Sequence, residues 1–129
     1  MTKYSRQREA VLEYLRSTKS HPTAVTVYNE VRKKYPNISL GTVYRNLGML
    51  TDSNTILRLD CGQGCEHYDA TTTAHYHFCC KSCGNVTDLD MPVITDWTSL
   101  ANYGFRGDVE GHSVMFYGLC EQCKNQTNN

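Results

Sequence analysis

His75-Tyr76-His77-Phe78-Cys79-Cys80-Lys81-Ser82-Cys83-Gly84-Asn85-Val86-Thr87-Asp88 brings two kinds of metal chemistry together. Cys80-x-x-Cys83 has a second copy in Cys120-x-x-Cys123. A two-residue gap lets the chain turn around an ion and place both sulfurs on it, and four thiolates in two such hooks suit tetrahedral zinc. Cys80, Cys83, Cys120 and Cys123 therefore read as a structural Zn2+ site. Just before the first hook, His75-x-His77 sends two imidazoles to one side of a period-two strand. Asp88, beyond the hook, returns a carboxylate to them. Mixed nitrogen and oxygen ligands suit iron, manganese or zinc in an exchangeable site. Cys79 would leave a three-residue gap and, on a strand, points away from Cys80, so it is expected in the core.

Around this stretch the spacing predicts a small mixed domain. A strand at Tyr76–Phe78 continues through the zinc turn into Asn85–Leu89. Pro92 is expected to open a helix in which Val93, Trp97, Leu100 and Ala101 share a face, and Gly104 to close it. Phe105–Gly111 and His112–Leu119 read as further strands, the last delivering Cys120 and Cys123 to the first hook. A short polar tail, Asn125–Asn129, follows. Such a unit depends on its metal, since structural zinc contributes on the order of 10 kcal/mol.

Upstream the pattern is helical. Over Ser5–Ser17, Ala10, Val11, Tyr14 and Leu15 fall on one helix face. His21-Pro22-Thr23 interrupts, and Thr23 caps a second helix whose Val27, Tyr28 and Val31 face inward until Tyr35-Pro36-Asn37 stops it. Ser39 caps a third, with Val43, Leu47 and Leu50 as its buried stripe. The opposite face is read as Thr42, Tyr44, Arg45 and Asn46, a group suited to phosphates and base edges in a major groove. Ile56–Cys61, a Gly62-Gln63-Gly64 turn and Cys65–Asp69 form a hairpin, and a hairpin after a helix-turn-helix is a wing. Thr71-Thr72-Thr73-Ala74 is a connector. The predicted class is thus α+β, with a winged helix-turn-helix domain at 1–70, a connector at 71–74 and a small α/β metal-binding domain at 75–129.

The chain has 129 residues and a formal charge of zero, which hides an asymmetry. Residues 1–58 carry ten basic and four acidic side chains, a balance of +6, and residues 59–129 carry three basic and nine acidic ones, a balance of −6. The first half suits a polyanion and the second suits metal cations. Seven cysteines raise the thought of a secreted disulfide scaffold. The odd count, the paired hooks and the lack of an apolar segment after Met1-Thr2-Lys3 argue instead for a reducing cytoplasm. No apolar run is long enough to span a bilayer. Cys61 and Cys65 sit across the hairpin turn, where a disulfide is sterically open but two reduced thiols are the expectation.

Thr42-Val43-Tyr44-Arg45-Asn46-Leu47, His75-x-His77-x-x-Cys80-x-x-Cys83-Gly84 and Tyr117-Gly118-Leu119-Cys120-x-x-Cys123 together resemble the ferric-uptake-regulator family of metal-responsive repressors, over nearly the whole chain. Within it the chain looks most like the peroxide-sensing branch, whose regulatory ion is bound by three histidines and two aspartates. Those positions match His21 (in His-Pro-Thr-Ala), Asp69, His75, His77 and Asp88. Asp88 carries the choice of branch, since iron-sensing relatives generally have glutamate there. The resemblance implies a homodimer joined through the second domain, double-stranded operator DNA as partner, regulatory Fe2+ or Mn2+, and peroxide-driven oxidation of His21 or His77. It implies a sensor and not an enzyme. The chain starts almost at the first winged-helix helix, where relatives usually carry another, and Cys61, Cys65 and Cys79 have no counterpart. His67 and His112 are spare metal candidates, while Asp90, Asp96 and Asp108 are expected to be solvated. Two alternatives stay open: an iron, zinc or manganese uptake regulator without peroxide chemistry, and a small metallohydrolase with an open metal position.

Overall fold

The computed structural model describes the backbone of residues 3–61 and 66–127. Two compact units divide the chain, Met1–Thr73 and Ala74–Asn129.

The first unit has three helices, α1 (Lys3–Ser17), α2 (Ala24–Val31) and α3 (Leu40–Asp52), then an antiparallel hairpin of β1 (Leu57–Asp60) and β2 (Glu66–Asp69). The starts of α2 and α3 are set by side-chain caps. Thr23 accepts the Thr26 N–H at 3.4 Å and Ser39 accepts the Thr42 N–H at 3.0 Å, each cap worth about 1 kcal/mol. α3 ends where Asn54 enters the left-handed region at φ 60°, which asparagine tolerates better than most side chains. Val11, Leu15, Val27, Val43, Leu47 and Ile56 meet in one apolar core, which Tyr68 of the hairpin closes. Leu12 is buried there as well, one position beyond the stripe expected for α1. α2 stops earlier than expected, at Val31, and a turn carries the chain to Tyr35. Tyr35 precedes a proline, which disfavours the α conformation. This is a winged helix-turn-helix fold. The wing's Gly62-Gln63-Gly64 turn and Cys65 lie outside the described residues, so the pairing considered for Cys61 and Cys65 does too.

The second unit is a three-stranded sheet of order β4-β3-β5, with β3 (Tyr76–Cys80) central, β4 (Val86–Leu89) antiparallel to it and β5 (Phe116–Gly118) parallel. Gly84, at φ 78°, makes the turn between β3 and β4, a conformation open to glycine without a Cβ clash. Two short helices complete it, α4 (Trp97–Asn102) and α5 (Glu121–Thr127).

Three expectations are corrected here. Pro92 does not open a helix: residues 92–96 are irregular and α4 begins only at Trp97. Val93, Leu100 and Ala101 are exposed, and of the expected apolar face Trp97 is the half-buried member, set against Tyr76 and His112. Phe105–Gly111 is not a strand. The Asn102 amide accepts the Val109 N–H at 2.9 Å and donates to the Val109 carbonyl at 3.2 Å, which takes that backbone out of any ladder. Of His112–Leu119 only β5 pairs, and the polar tail instead begins as α5.

Candidate metal centre

The four hook cysteines converge in the second unit. β3 ends on Cys80 and β5 runs parallel beside it, with Cys80 in register with Gly118, so Cys120 emerges at the same end of the sheet. Cys123 follows on the first turn of α5. One sulfur from each of Cys80, Cys83, Cys120 and Cys123 lies within 4.8 Å of the others. Cys83 Sγ and Cys120 Sγ are 3.8 Å apart. A tetrahedral zinc with bonds of about 2.3 Å separates its sulfurs by about 3.8 Å, so the cluster is already spaced for the ion. Cys79 is buried on the other side of the strand and takes no part.

The electrostatics favour an anion at Cys80. The N–H groups of Cys83 and Cys120 point at Cys80 Sγ at 3.5 and 3.4 Å and lower its thiol to about 6. For Cys123 the Ser82 hydroxyl pulls the other way, but neighbouring thiols and burial outweigh it and push the group up to about 12. Cys83 is raised too, against a lowering contact from the Asn85 backbone, by the Cys80 thiol and burial. Cys80 is thus the readiest of these three to ionise, and the raised thiols of Cys83 and Cys123 must give up protons when a cation binds.

The nitrogen and oxygen ligands come from both units. In the first, His21 takes a left-handed backbone, φ 54°, which costs a non-glycine residue about 1–2 kcal/mol. Contacts from β2 hold it there. The Tyr68 N–H donates to the Pro22 carbonyl at 3.0 Å, His67 Nδ1 donates to the His21 carbonyl at 2.7 Å, and Thr23 bridges to His67. The imidazole is directed at Asp69, with Nε2 to Oδ2 at 3.3 Å, and both residues are buried. Asp69 Oδ1 accepts the Thr71 N–H at 2.9 Å, fixing the carboxylate for its other oxygen.

In the second unit His77 lies directly opposite Asp88 in the β3–β4 register, and His75 sits two residues back on the same side. Asp88 Oδ1 is 3.2 Å from His75 Nε2 and 3.5 Å from His77 Nε2, with ring centroids 4.2 Å apart. Two imidazole nitrogens and a carboxylate oxygen converging in this way fit a divalent cation of the iron, manganese or zinc kind. The structure therefore brings His21 to Asp69, and His75 and His77 to Asp88.

On α3, Tyr44 is 50% exposed, Arg45 is exposed and Thr42 is half-buried. Asn46 departs from the expectation. At 4% exposure it faces inward, because it stands i+3 from Val43 and i−4 from Leu50 and so shares their stripe. With Arg8, Thr42, Arg45 and Met49 it lines a cavity of about 200 Å³. Met49, one turn beyond Arg45 and exposed, takes the outer place instead. The spare histidines have other engagements: His67 braces His21, and the His112 ring lies 5.8 Å from that of Trp97. The brace was missed in the sequence, although His67 two residues before Asp69 puts both on one face of β2.

A winged helix followed by a cysteine-clamped sheet with a His/Asp cluster defines a metal-binding regulator of the winged-helix class. Residues 1–117 match the model of the ferric uptake regulator family. The chain is 37% identical over 122 residues to the peroxide-responsive repressor PerR of Staphylococcus epidermidis, covering 95% of this chain and 81% of that one. It is 35% identical over 122 residues to the peroxide operon regulator of Bacillus subtilis, covering 95% and 84%. The crystal structure of the Campylobacter jejuni peroxide stress regulator superposes with a TM-score of 0.75 at 29% identity, covering 94% of this chain and 91% of that one. This chain belongs to the ferric uptake regulator family.

Proposed function

We propose that the protein is a metal-dependent transcriptional repressor that senses peroxide. One observation carries the regulatory half of this reading: His75 and His77 converge on a single oxygen of Asp88, a short carboxylate directly across the strand pair. His21 and Asp69 supply a second, buried pair. His21, Asp69, His75, His77 and Asp88 are the ligands of the regulatory Fe2+ or Mn2+ in this reading, and its occupancy governs DNA binding. Zn2+ on the four cysteines has the separate task of holding the second unit.

Ferrous iron held by these residues would supply the redox chemistry that cleaves the peroxide O–O bond, one oxygen passing to an imidazole ring and the other leaving as water. His21 and His77, both buried against carboxylates, stand to gain one oxygen atom on the ring. An oxidised imidazole is a poorer ligand, so the regulatory metal is lost and the operator is released. Thr42, Tyr44 and Arg45 meet the operator DNA, with Asn46 supporting them from the cavity wall. The working form is a homodimer in the cytoplasm. Among the described residues no helix is long and apolar enough to cross a membrane.

A gel shift on the promoter beside the gene tests this. Mn2+ or Fe2+ is expected to induce binding, and dilute peroxide to abolish it for the Fe2+ form only. Peptide mass spectrometry is expected to find one added oxygen on His21 or His77. Metal-induced binding that persists through peroxide would leave a plain metal-uptake regulator, and release without oxidised histidine would move the signal to the thiols.

A further inference from the structure

We propose that His67 is a positioning residue for the regulatory metal: its Nδ1–H grips the His21 carbonyl and so sets the direction in which the His21 imidazole is delivered. This rests on the reading of His21 as a metal ligand. The carbonyl oxygen only accepts, so at 2.7 Å the proton must sit on His67 Nδ1, whichever way the second ring nitrogen is used. His21 is a non-glycine residue at φ 54°. There the carbonyl and the Cα–Cβ bond turn together, and restraining one restrains the other.

The grip is one half of a clamp. His67 and Asp69 are two residues apart on β2 and so project on the same side of the strand. His67 holds the backbone of His21 while Asp69 Oδ2 meets its Nε2 at 3.3 Å. Tyr68 between them points the other way, into the core, which makes the clamp rigid. Partners that orient a ligand from behind typically change metal affinity 10- to 100-fold when removed. The loop does not depend on this side chain for its place, because the Tyr68 N–H to Pro22 carbonyl bond and the Thr23–His67 bridge are backbone contacts. A change at His67 thus alters the pose of His21 and leaves the fold.

Three variants separate the donor from the bulk of the ring in the zinc-loaded, full-length protein. His67→Asn puts an amide N–H where Nδ1 stands, His67→Gln puts it one atom too far, and His67→Leu removes it. Mn2+ affinity is read by chelator competition, and site geometry by the visible absorption of added Co2+. The expected result is an affinity about tenfold or more weaker for Leu and Gln with an altered Co2+ spectrum, and both restored to within about threefold by Asn. Melting without regulatory metal is expected to be alike for Asn and Gln, so this pair decides the matter even if Leu folds poorly. Equal affinity and equal spectra for Asn and Gln, whether native or weakened, would overturn the proposal. His21→Ala serves as the control. If it binds Mn2+ as tightly as wild type, the ligand assignment falls and the positioning role with it. If it weakens binding while Gln does not, only the positioning role falls.

Discussion

Replacing Cys80 by serine strikes the second unit where it is most dependent on metal. The sulfur is fully buried and receives the N–H groups of Cys83 and Cys120 at 3.5 and 3.4 Å. Apart from cysteines, the buried apolar side chains described in this unit are Tyr76 and Val86. At about 1.5–3 kcal/mol each they contribute roughly 3–6 kcal/mol, against about 10 kcal/mol or more from a closed four-thiolate zinc. Losing even half of the zinc contribution, about 5 kcal/mol, shifts the folding equilibrium by more than a thousandfold. The first unit keeps its own core and should survive. The assay is built into the chain, since its single tryptophan, Trp97, lies in the second unit with Nε1 3.2 Å from the Tyr76 hydroxyl. In Cys80→Ser its emission is expected to move to the red and its anisotropy to fall at room temperature. Most far-UV helical signal, which comes from α1–α3, should persist and melt in its own transition. Native Trp97 emission in a zinc-depleted Cys80→Ser protein would refute the reasoning.

Asp88→Glu keeps the charge but adds a methylene opposite His77, and is expected to retain Mn2+-induced DNA binding while losing most of the peroxide response; an unchanged response sinks the role given to the shorter carboxylate. Zinc capture should strengthen from pH 6 to pH 8, because Cys80 is ionised only above about 6 while Cys83 and Cys123 are raised and must give up protons. Calorimetric heats of zinc binding should therefore scale with the ionisation enthalpy of the buffer, and buffer-independent heats would contradict this. Arg45→Ala should reduce the salt slope of operator binding by about one, and Tyr44→Ala should relax sequence preference more than nonspecific affinity, both read by binding titrations across salt. Asn46→Leu removes a buried amide nitrogen without a partner and should raise first-unit stability by about 1 kcal/mol, whereas a loss of operator discrimination equal to that of Tyr44→Ala would return Asn46 to the base-reading face.

The parts legible in the sequence were those written in short-range chemistry. Thr23 and Ser39 announce their helices through capping, and Val43, Leu47 and Leu50 reveal the inward side of α3 by spacing alone. The two C-x-x-C hooks fix that β3 and the chain before α5 must meet, although not that β5 lies parallel to β3. What resisted reading was set by contacts distant in sequence or by competition. Asn46 looked like a surface residue by type, yet its phase on α3 is that of the core. The strand expected at Phe105–Gly111 lost its backbone partners to one side chain, Asn102, and no periodicity records that. His67 showed itself as a histidine near an aspartate, and its engagement with His21 required the hairpin to fold back across forty-six residues.

The parallel placement of β5 beside β3 has a consequence for how this protein can vary. Cys83 and Cys120 are 37 positions apart, and the chain between them leaves the sheet after β4 and returns only at β5. Both ends of that excursion are pinned, one by strand pairing and the other by the cluster of sulfurs. Lengthening a loop whose ends are already held adds little, about 0.6 kcal/mol for each doubling. Away from the contacts of Ile94 and Trp97 with Tyr76, insertions and deletions within the excursion are thus tolerable changes, while a shift of one residue in β5 moves Cys120 away from the other three sulfurs. Diversity among such proteins should gather in this segment, and constancy in the few residues at its two roots.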